Sequence, residues 1–259
     1  MIGRAAIGLL LAGVALTAPA ALAGDARQER PDAAADVHHD AWAETTVRTR
    51  GPALLFTGRI SPESVARARG LLDASPQVRE VVIESPGGDV GAGMDFGEMI
   101  LARGLDVRVA GWGCMSSCAN YVFPAGRRKT IEAGSLVLWH GSMLQEGLLE
   151  SFDLSKVKRP FDRPLNRRER RMVLRTLRAD FHFLSGRQER FYERLGVDAA
   201  ITVIGQRQGC GCNWTLAVED MAGFGLREVS APADYAAPGY GVAPWDWQLV
   251  RASGGAGRG

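Results

Sequence analysis

Histidine and cysteine are scarce here, four of each in a chain of 259 residues. Charge of one sign is also lacking: 31 basic residues against 29 acidic ones leave a net charge of +2. A balance so close to neutral lacks the basic excess that binding to a phosphate backbone demands, so nucleic acid is not an expected partner. Beyond the first two dozen residues no apolar run approaches the ~20 residues of a membrane span. The stretch Gly87-Gly88-Asp89-Val90-Gly91-Ala92-Gly93 has no lysine followed by a hydroxyl residue, which excludes the phosphate-binding loop its glycines would otherwise suggest. No cofactor or metal is expected.

The amino terminus has the pattern of an export signal. A short basic start, Met1-Ile2-Gly3-Arg4, precedes an apolar run from Ile7 to Leu16, and Ala21-Leu22-Ala23 forms a small-residue cleavage site. Residues 1–23 are therefore read as a signal peptide and excluded from fold reasoning, and a periplasmic or secreted location is expected. In an oxidising compartment four cysteines read as disulfides. Cys210 and Cys212 have one residue between them, so a bond within that pair would be strained. Cross-links from Cys114 and Cys118 to Cys210 and Cys212 are expected instead. A four-thiolate zinc site is the alternative, disfavoured because the second pair is spaced more tightly than zinc ligands usually are.

Residues 24–52 are polar, lack periodicity, and read as a mobile leader. From Ala53 the chain alternates strand and helix: a strand to Ile60, a helix capped by Ser61 with Pro62 at its first position, a β-branched strand Val78–Glu84, a helix from Asp89, and a strand Leu105–Ala110. Shorter strands follow near Lys129–Glu132 and Leu136–His140. Such alternation predicts parallel βαβ crossovers and an α/β fold. Residues 143–200 differ, with Arg163, Arg167, Arg168, Arg170, Arg171, Arg175 and Arg178 interleaved with apolar residues at helical spacing. They predict two amphipathic helices broken near Ser185-Gly186. The apolar face is expected to pack on the sheet; self-association or contact with an anionic membrane surface is the sharper alternative. The tail 231–259 is expected to be irregular, with Ala252 to Gly259 disordered.

Three segments carry chemistry. Ser85-Pro86-Gly87-Gly88 is a glycine turn after a strand. Ser116-Ser117-Cys118 is a small-residue turn that places a hydroxyl at a helix start, where the next amides and the positive end of the helix dipole favour a negative oxygen. Leu136-Val137-Leu138-Trp139-His140 ends a buried strand on a histidine. Together they supply an oxyanion hole, a nucleophile and a base, the needs of acyl transfer.

These motifs resemble the Clp protease proteolytic subunit family and the signal peptide peptidase A type within the crotonase-like fold. The Ser-Pro-Gly-Gly turn, a serine eight residues before Ala125-Gly126, the strand-end histidine, and Phe224-Gly225-Leu226 all match in order. The resemblance covers residues 53 to 142 well and the remainder more weakly. It implies a spiral of βαβ units over 53–230, with the helical segment 143–200 added. It further implies Ser117 as nucleophile, His140 as base, and the amides of Gly88 and Cys118 as oxyanion donors. The partner implied is a peptide or protein substrate, and relatives lead one to expect a homo-oligomer. The family's aspartate has no counterpart: Gly205 to Asn213 holds only Gln206, Gln208 and Asn213 beside Arg207, leaving an amide in its place or Asp198 or Asp220 from outside. The absent acid favours a rival reading, an inactive scaffold of the same fold. An acyl-CoA enzyme of the crotonase type ranks lower, since an exported chain rarely meets that cofactor.

Overall fold

The computed structural model describes residues 44–152, 165–241 and 243–252. The proposed signal peptide, the leader as far as residue 43, Arg163 and residues from 253 onward lie outside the described residues. The centre is a seven-stranded sheet. Its main path is β1 (Thr46–Arg50), β2 (Ala53–Thr57), β3 (Glu80–Ser85), β4 (Asp106–Met115), β5 (Lys129–Ile131) and, at the far edge, β8 (Val229–Ser230), while β6 (Leu136–Leu138) pairs with β4 off this path. Every pairing in this sheet except β1 with β2 is parallel. The expected α/β class with a mainly parallel sheet is what the chain adopts.

Crossover helices form where the sequence places them. Helix α1 (Pro62–Ala74) begins with a capping box in which Ser61 and Ser64 each bond the other's backbone amide, and it buries Val65, Ala68 and Leu72. Helix α2 (Val90–Arg103) is capped by Asp89, whose carboxylate accepts from Ala92 N at 2.7 Å, and ends on the left-handed Gly104. β3 is buried at every second residue, and the core beneath it includes Leu54, Phe56, Val81, Ile83, Phe96, Val107 and Val109.

Strand β4 is the element that shapes the site. Ile83 and Ser85 of β3, two residues apart, face Val109 and Cys114 of β4, five apart, so β4 carries three extra residues. The bulge contains Gly111 (φ +58°) and Gly113 (φ +142°). A β-carbon at Gly113 would stand 1.9 Å from Leu136 O, so only glycine fits. The bulge divides β4 in two: Val107–Val109 pair with β5, and Gly113–Met115 pair with β6. Bulges of this kind redirect strands next to functional sites.

Three sequence expectations are corrected. Thr46–Arg50, placed in the leader, is a strand. Its single apolar residue, Val47, makes no periodic signal, and the segment is ordered because the edge of β2 offers it a hydrogen-bonding partner. The predicted helix pair is one helix, α4 (Arg167–Leu195). It runs through Ser185-Gly186 because Ser185 Oγ bonds back to Phe181 O at 2.7 Å and one internal glycine costs only about 1 kcal/mol. In the tail, Trp247–Val250 form β9, parallel to β7 (Asn213–Leu216).

Helix α4 is anchored toward its carboxyl end, through the partly buried Leu184 and the buried Gln188, Phe191 and Tyr192, whereas Met172 and Phe183 are 60% and 65% exposed. Phe191 packs edge-on against Tyr121 and Tyr192, and its ring tip would lie 2.8 Å from a β-carbon at Gly97. Phe191→Ala is therefore expected to cost about 3–5 kcal/mol by cavity formation. Phe183→Ala on the same helix should stay within about 0.5 kcal/mol of wild type. Urea titration followed by circular dichroism distinguishes them, and equal losses would contradict the anchoring described.

Candidate active site

One row of the sheet organises the site. Ser85 pairs with Cys114, and Cys114 with Val137. Gly88, Ser117 and His140 each lie three residues beyond that row (85 + 3, 114 + 3, 137 + 3), at the carboxyl ends of adjacent parallel strands. Open parallel sheets gather their ligand-binding groups at that edge.

The glycine turn and the serine turn pack backbone to backbone. A β-carbon at Gly87 would meet Met115 O at 2.6 Å and Ser117 N at 2.8 Å, and one at Gly88 would meet Ile60 O at 2.1 Å. Ser85 Oγ accepts from Gly87 N at 3.0 Å and holds the turn closed. Ile60 N donates to Gly87 O, and Asp89 N donates to Ile60 O. In a trans peptide the carbonyl and amide point in opposite directions. With Gly87 O and Asp89 N both turned to Ile60, the N–H and C=O of Gly88 itself point the other way, toward the serine turn. Ser117 Oγ donates to Gly88 O at 2.8 Å, so this side of Gly88 faces the serine.

The serine turn has unusual backbone. Ser116 takes φ +59°, a conformation unfavourable by about 1–2 kcal/mol for a residue with a β-carbon, and its amide donates to Leu138 O at 3.1 Å. Ser117 is helical and opens a π-helical turn, Cys118–Val122, followed by the short helix α3 (Phe123–Ala125). At the start of the turn the amide of Cys118 has no helical carbonyl to bond, as an oxyanion donor requires. Pro124 has no N–H to give the preceding turn, and Tyr192 OH donates to Asn120 O at 2.6 Å. Ser117 itself is 2% exposed.

His140 follows Trp139, whose amide and carbonyl exchange hydrogen bonds with those of Trp214, both at 2.8 Å. Two carboxamides grip the next peptides: Gln206 Nε2 donates to His140 O at 3.0 Å, and Asn120 Nδ2 to Gly141 O at 2.9 Å. Burial holds the imidazole below its ordinary value of 6.5. The proton of Ser117 Oγ lies on Gly88 O, so in this conformation the serine does not donate to the histidine.

Behind the site runs a buried polar network centred on Gln188. Its Oε1 accepts from Tyr121 OH (2.8 Å) and Met143 N (3.2 Å), and its Nε2 reaches Ser142 Oγ (2.9 Å) and Thr202 Oγ1 (3.4 Å). It thus couples the turn after Ser117 to the segment after His140. Sequence reading missed Asn120, Gln188, Ser142 and Thr202. The available signal was a glutamine on the apolar face of α4, one turn from Leu184 and Phe191.

The candidates for a third member are dispersed. Asp198 caps the 3₁₀ turn Ala199–Thr202, Asp220 pairs with Arg251, Gln208 donates to Arg251 O, and Asn213 to Asp246 O. Gln206 touches the His140 residue, through the bond from its Nε2 to His140 O. It also lines a cavity of about 350 Å³ with Leu144, Val203, Arg207, Cys210 and Gly211.

The expected cross-linking of the cysteines is overturned: Cys114 pairs with Cys118, and Cys210 with Cys212. The left-handed Ser116 doubles the chain back, so that the Cα atoms of Cys114 and Cys118 lie 5.3 Å apart. Across Gly211 the second pair closes to 5.1 Å. No disulfide therefore joins the segment of Cys210 and Cys212 to the turn at Ser116-Ser117 among the described residues. The Cys114–Cys118 bond still encloses Ser116 and Ser117.

No protein-family model and no curated protein matches the chain. Among solved structures, that of a methylmalonyl CoA decarboxylase complexed with 2S-carboxypropyl CoA aligns with 35% of this chain at 11% identity and a TM-score of 0.28. The aligned part is about half of that structure, 47% of its length. At that level the likeness says nothing of this chain's chemistry.

Non-reducing peptide mapping of protein produced in an oxidising compartment is expected to recover two local bridges, 114–118 and 210–212. A peptide joining the two regions would refute the pairing. The double variant Cys114→Ser, Cys118→Ser should lose about 2 kcal/mol, the chain-entropy value for so short a loop.

Proposed function

We propose that this protein is an exported serine hydrolase of the Clp/crotonase-like kind, which cleaves peptide or protein substrates through an acyl-enzyme. Ser117 is the nucleophile, His140 the general base, and the amides of Gly88 and Cys118 stabilise the oxyanion. The observation that supports this reading is the common row: Gly88, Ser117 and His140 each follow by three residues a member of one paired row on adjacent strands, and Ser117 Oγ reaches Gly88 O. In the reaction Ser117 Oγ leaves Gly88 O, gives its proton to the imidazole and bonds to the substrate carbonyl carbon. The carbonyl oxygen becomes the oxyanion, and the imidazolium then protonates the leaving amine. Loss of one oxyanion donor of this type raises a barrier by about 3 kcal/mol. Paired cysteines suit an oxidising compartment.

A second reading has its own support. Ser117 is buried and its proton is engaged by a carbonyl, as suits a scaffold that keeps the fold without turnover. A fluorophosphonate probe separates the two. It should label wild type at Ser117, slowly because the hydroxyl must first be uncovered, and Ser117→Ala should abolish labelling with the circular dichroism unchanged. Ser116→Ala should retain most of it. Wild type that stays unlabelled and cleaves nothing in broad peptide libraries would establish the scaffold.

The pH dependence follows from His140. Its folded pKa lies below 6.5, so the base is neutral through the neutral range, and the acid limb of the labelling rate should fall below pH 6.5. The unfolded chain takes up this proton before the folded one does. The contribution to stability is complete above pH 6.5 and is lost as pH falls below it toward the lower folded value. Labelling rates between pH 4.5 and 8 check this; a midpoint above 7 would contradict it.

A further inference from the structure

Among the described residues no acid stands ready to orient His140, and a carboxamide with one unmet hydrogen-bonding need grips the same residue. Gln206 Nε2 donates to His140 O at 3.0 Å. A carbonyl can only accept, so this contact fixes which end of the carboxamide is nitrogen. Its other end, Oε1, is buried without a donor among the described residues. The imidazole bonds to the backbone of its own residue, and no charged group perturbs it. A buried amide oxygen pays for lacking a donor, and the imidazole N–H, now turned to its own backbone, is a donor on the very residue that Gln206 already grips.

The placement of Gln206 is built into the fold. The helix α5 (Ile204–Arg207) is pressed onto the Trp214 ring, where a β-carbon at Gly205 would stand 2.3 Å from Cδ2. The Trp139–Trp214 bridge carries His140 to the same spot. Gly141 completes the fit, since a β-carbon there would lie 2.6 Å from Gln206 Nε2.

We propose that Gln206 is the positioning residue for His140: its carboxamide oxygen accepts one imidazole N–H and leaves the other ring nitrogen free to take the proton of Ser117. This rests on the hydrolase reading for its purpose, though not for its test. A neutral amide fixes the tautomer as a carboxylate would, but stabilises the imidazolium less. Asn120 is the competing carboxamide, for its Oδ1 is also buried without a partner. It is 4% exposed, has one fewer rotatable bond, and grips Gly141 O rather than His140 O. Gln206, half-buried on a short helix, needs only a side-chain rotation.

The test is nitrogen-15 NMR of the histidine rings in the whole exported chain, with the His140 signal assigned by its loss in His140→Ala. In wild type at pH 7.5, His140 should show one dominant tautomer and an N–H slow to exchange. A tautomer mixture with rapid exchange would overturn the proposal without any variant. Gln206→Glu should raise the His140 pKa by about 1 unit or more, the usual effect of a carboxylate at hydrogen-bond distance, and Gln206→Leu should mix the tautomers. Asn120→Asp should do neither. A Gln206→Glu protein that folds and leaves the pKa unmoved, or a larger shift in Asn120→Asp, would sink the assignment. A silent fluorophosphonate probe would overturn the hydrolase reading and leave these NMR outcomes unchanged.

Discussion

The approach of two backbones to each other, with no side chain between them, is the constraint on which the rest of the structure depends. The turn at Gly87-Gly88 lies against Ile60 on one side and against Met115 to Ser117 on the other, and a β-carbon at either glycine would overlap main-chain atoms. Because main chain cannot move aside as a side-chain tip can, this packing fixes the distance between β3 and the turn at Ser116-Ser117. The alternation of peptide directions then decides which polar groups face Ser117. On the far side, Gly93 lets α2 approach the same turn, where a β-carbon would be 2.9 Å from Ser117 Cβ. The bulge in β4 does the remaining work by letting one strand pair with β5 and then with β6. Without its three extra residues, Cys114 would not share a row with Ser85, and Ser117 would stand at another height relative to Gly88.

Around this frame the polar groups fall into two kinds. Those behind the site are paired: Gln188 uses both ends of its amide, and the hydroxyls of Tyr121, Tyr192, Ser142 and Thr202 all have partners. Such a network, away from water, rigidifies the segments it joins, because breaking any member strands the others. Those at the site are only half-paired: the carboxamides of Asn120 and Gln206 each leave an oxygen without a donor, and Ser117 gives its proton to a main-chain carbonyl. Rigid support behind and unspent hydrogen-bonding capacity in front suit a site at rest, able to rearrange locally while its strands stay fixed.

Much of this was legible in the sequence because it is local. The helix caps at Ser61 and Asp89, the β-branched run of β3, the glycine turn and the strand ending on His140 are each set by neighbours a few residues away, through dihedral preference, capping and periodicity. The order of the three motifs along the chain marked Ser117, His140, Gly88 and Cys118 as candidates before any contact was known. Strand β1 was missed, as pairing with an edge leaves little pattern in a stretch holding one apolar residue. The break assigned to Ser185-Gly186 overvalued a local weakness that anchoring by Phe191 and Tyr192 outweighs.

The sequence alone thus determined the α/β class, the helix starts and the residue types available for acyl transfer, since these follow from forces acting within a few residues. The tertiary structure decided what depends on distance in space. The bulge set the common row, the reversal at Ser116 joined Cys114 to Cys118 against the expectation from spacing, and the Trp139–Trp214 bridge brought Gln206 to His140 where no acid stands. The physical reason is that cross-strand register, chain reversal and buried polar pairing are contacts between segments remote in sequence, and no local pattern of side chains encodes the height at which two such segments meet.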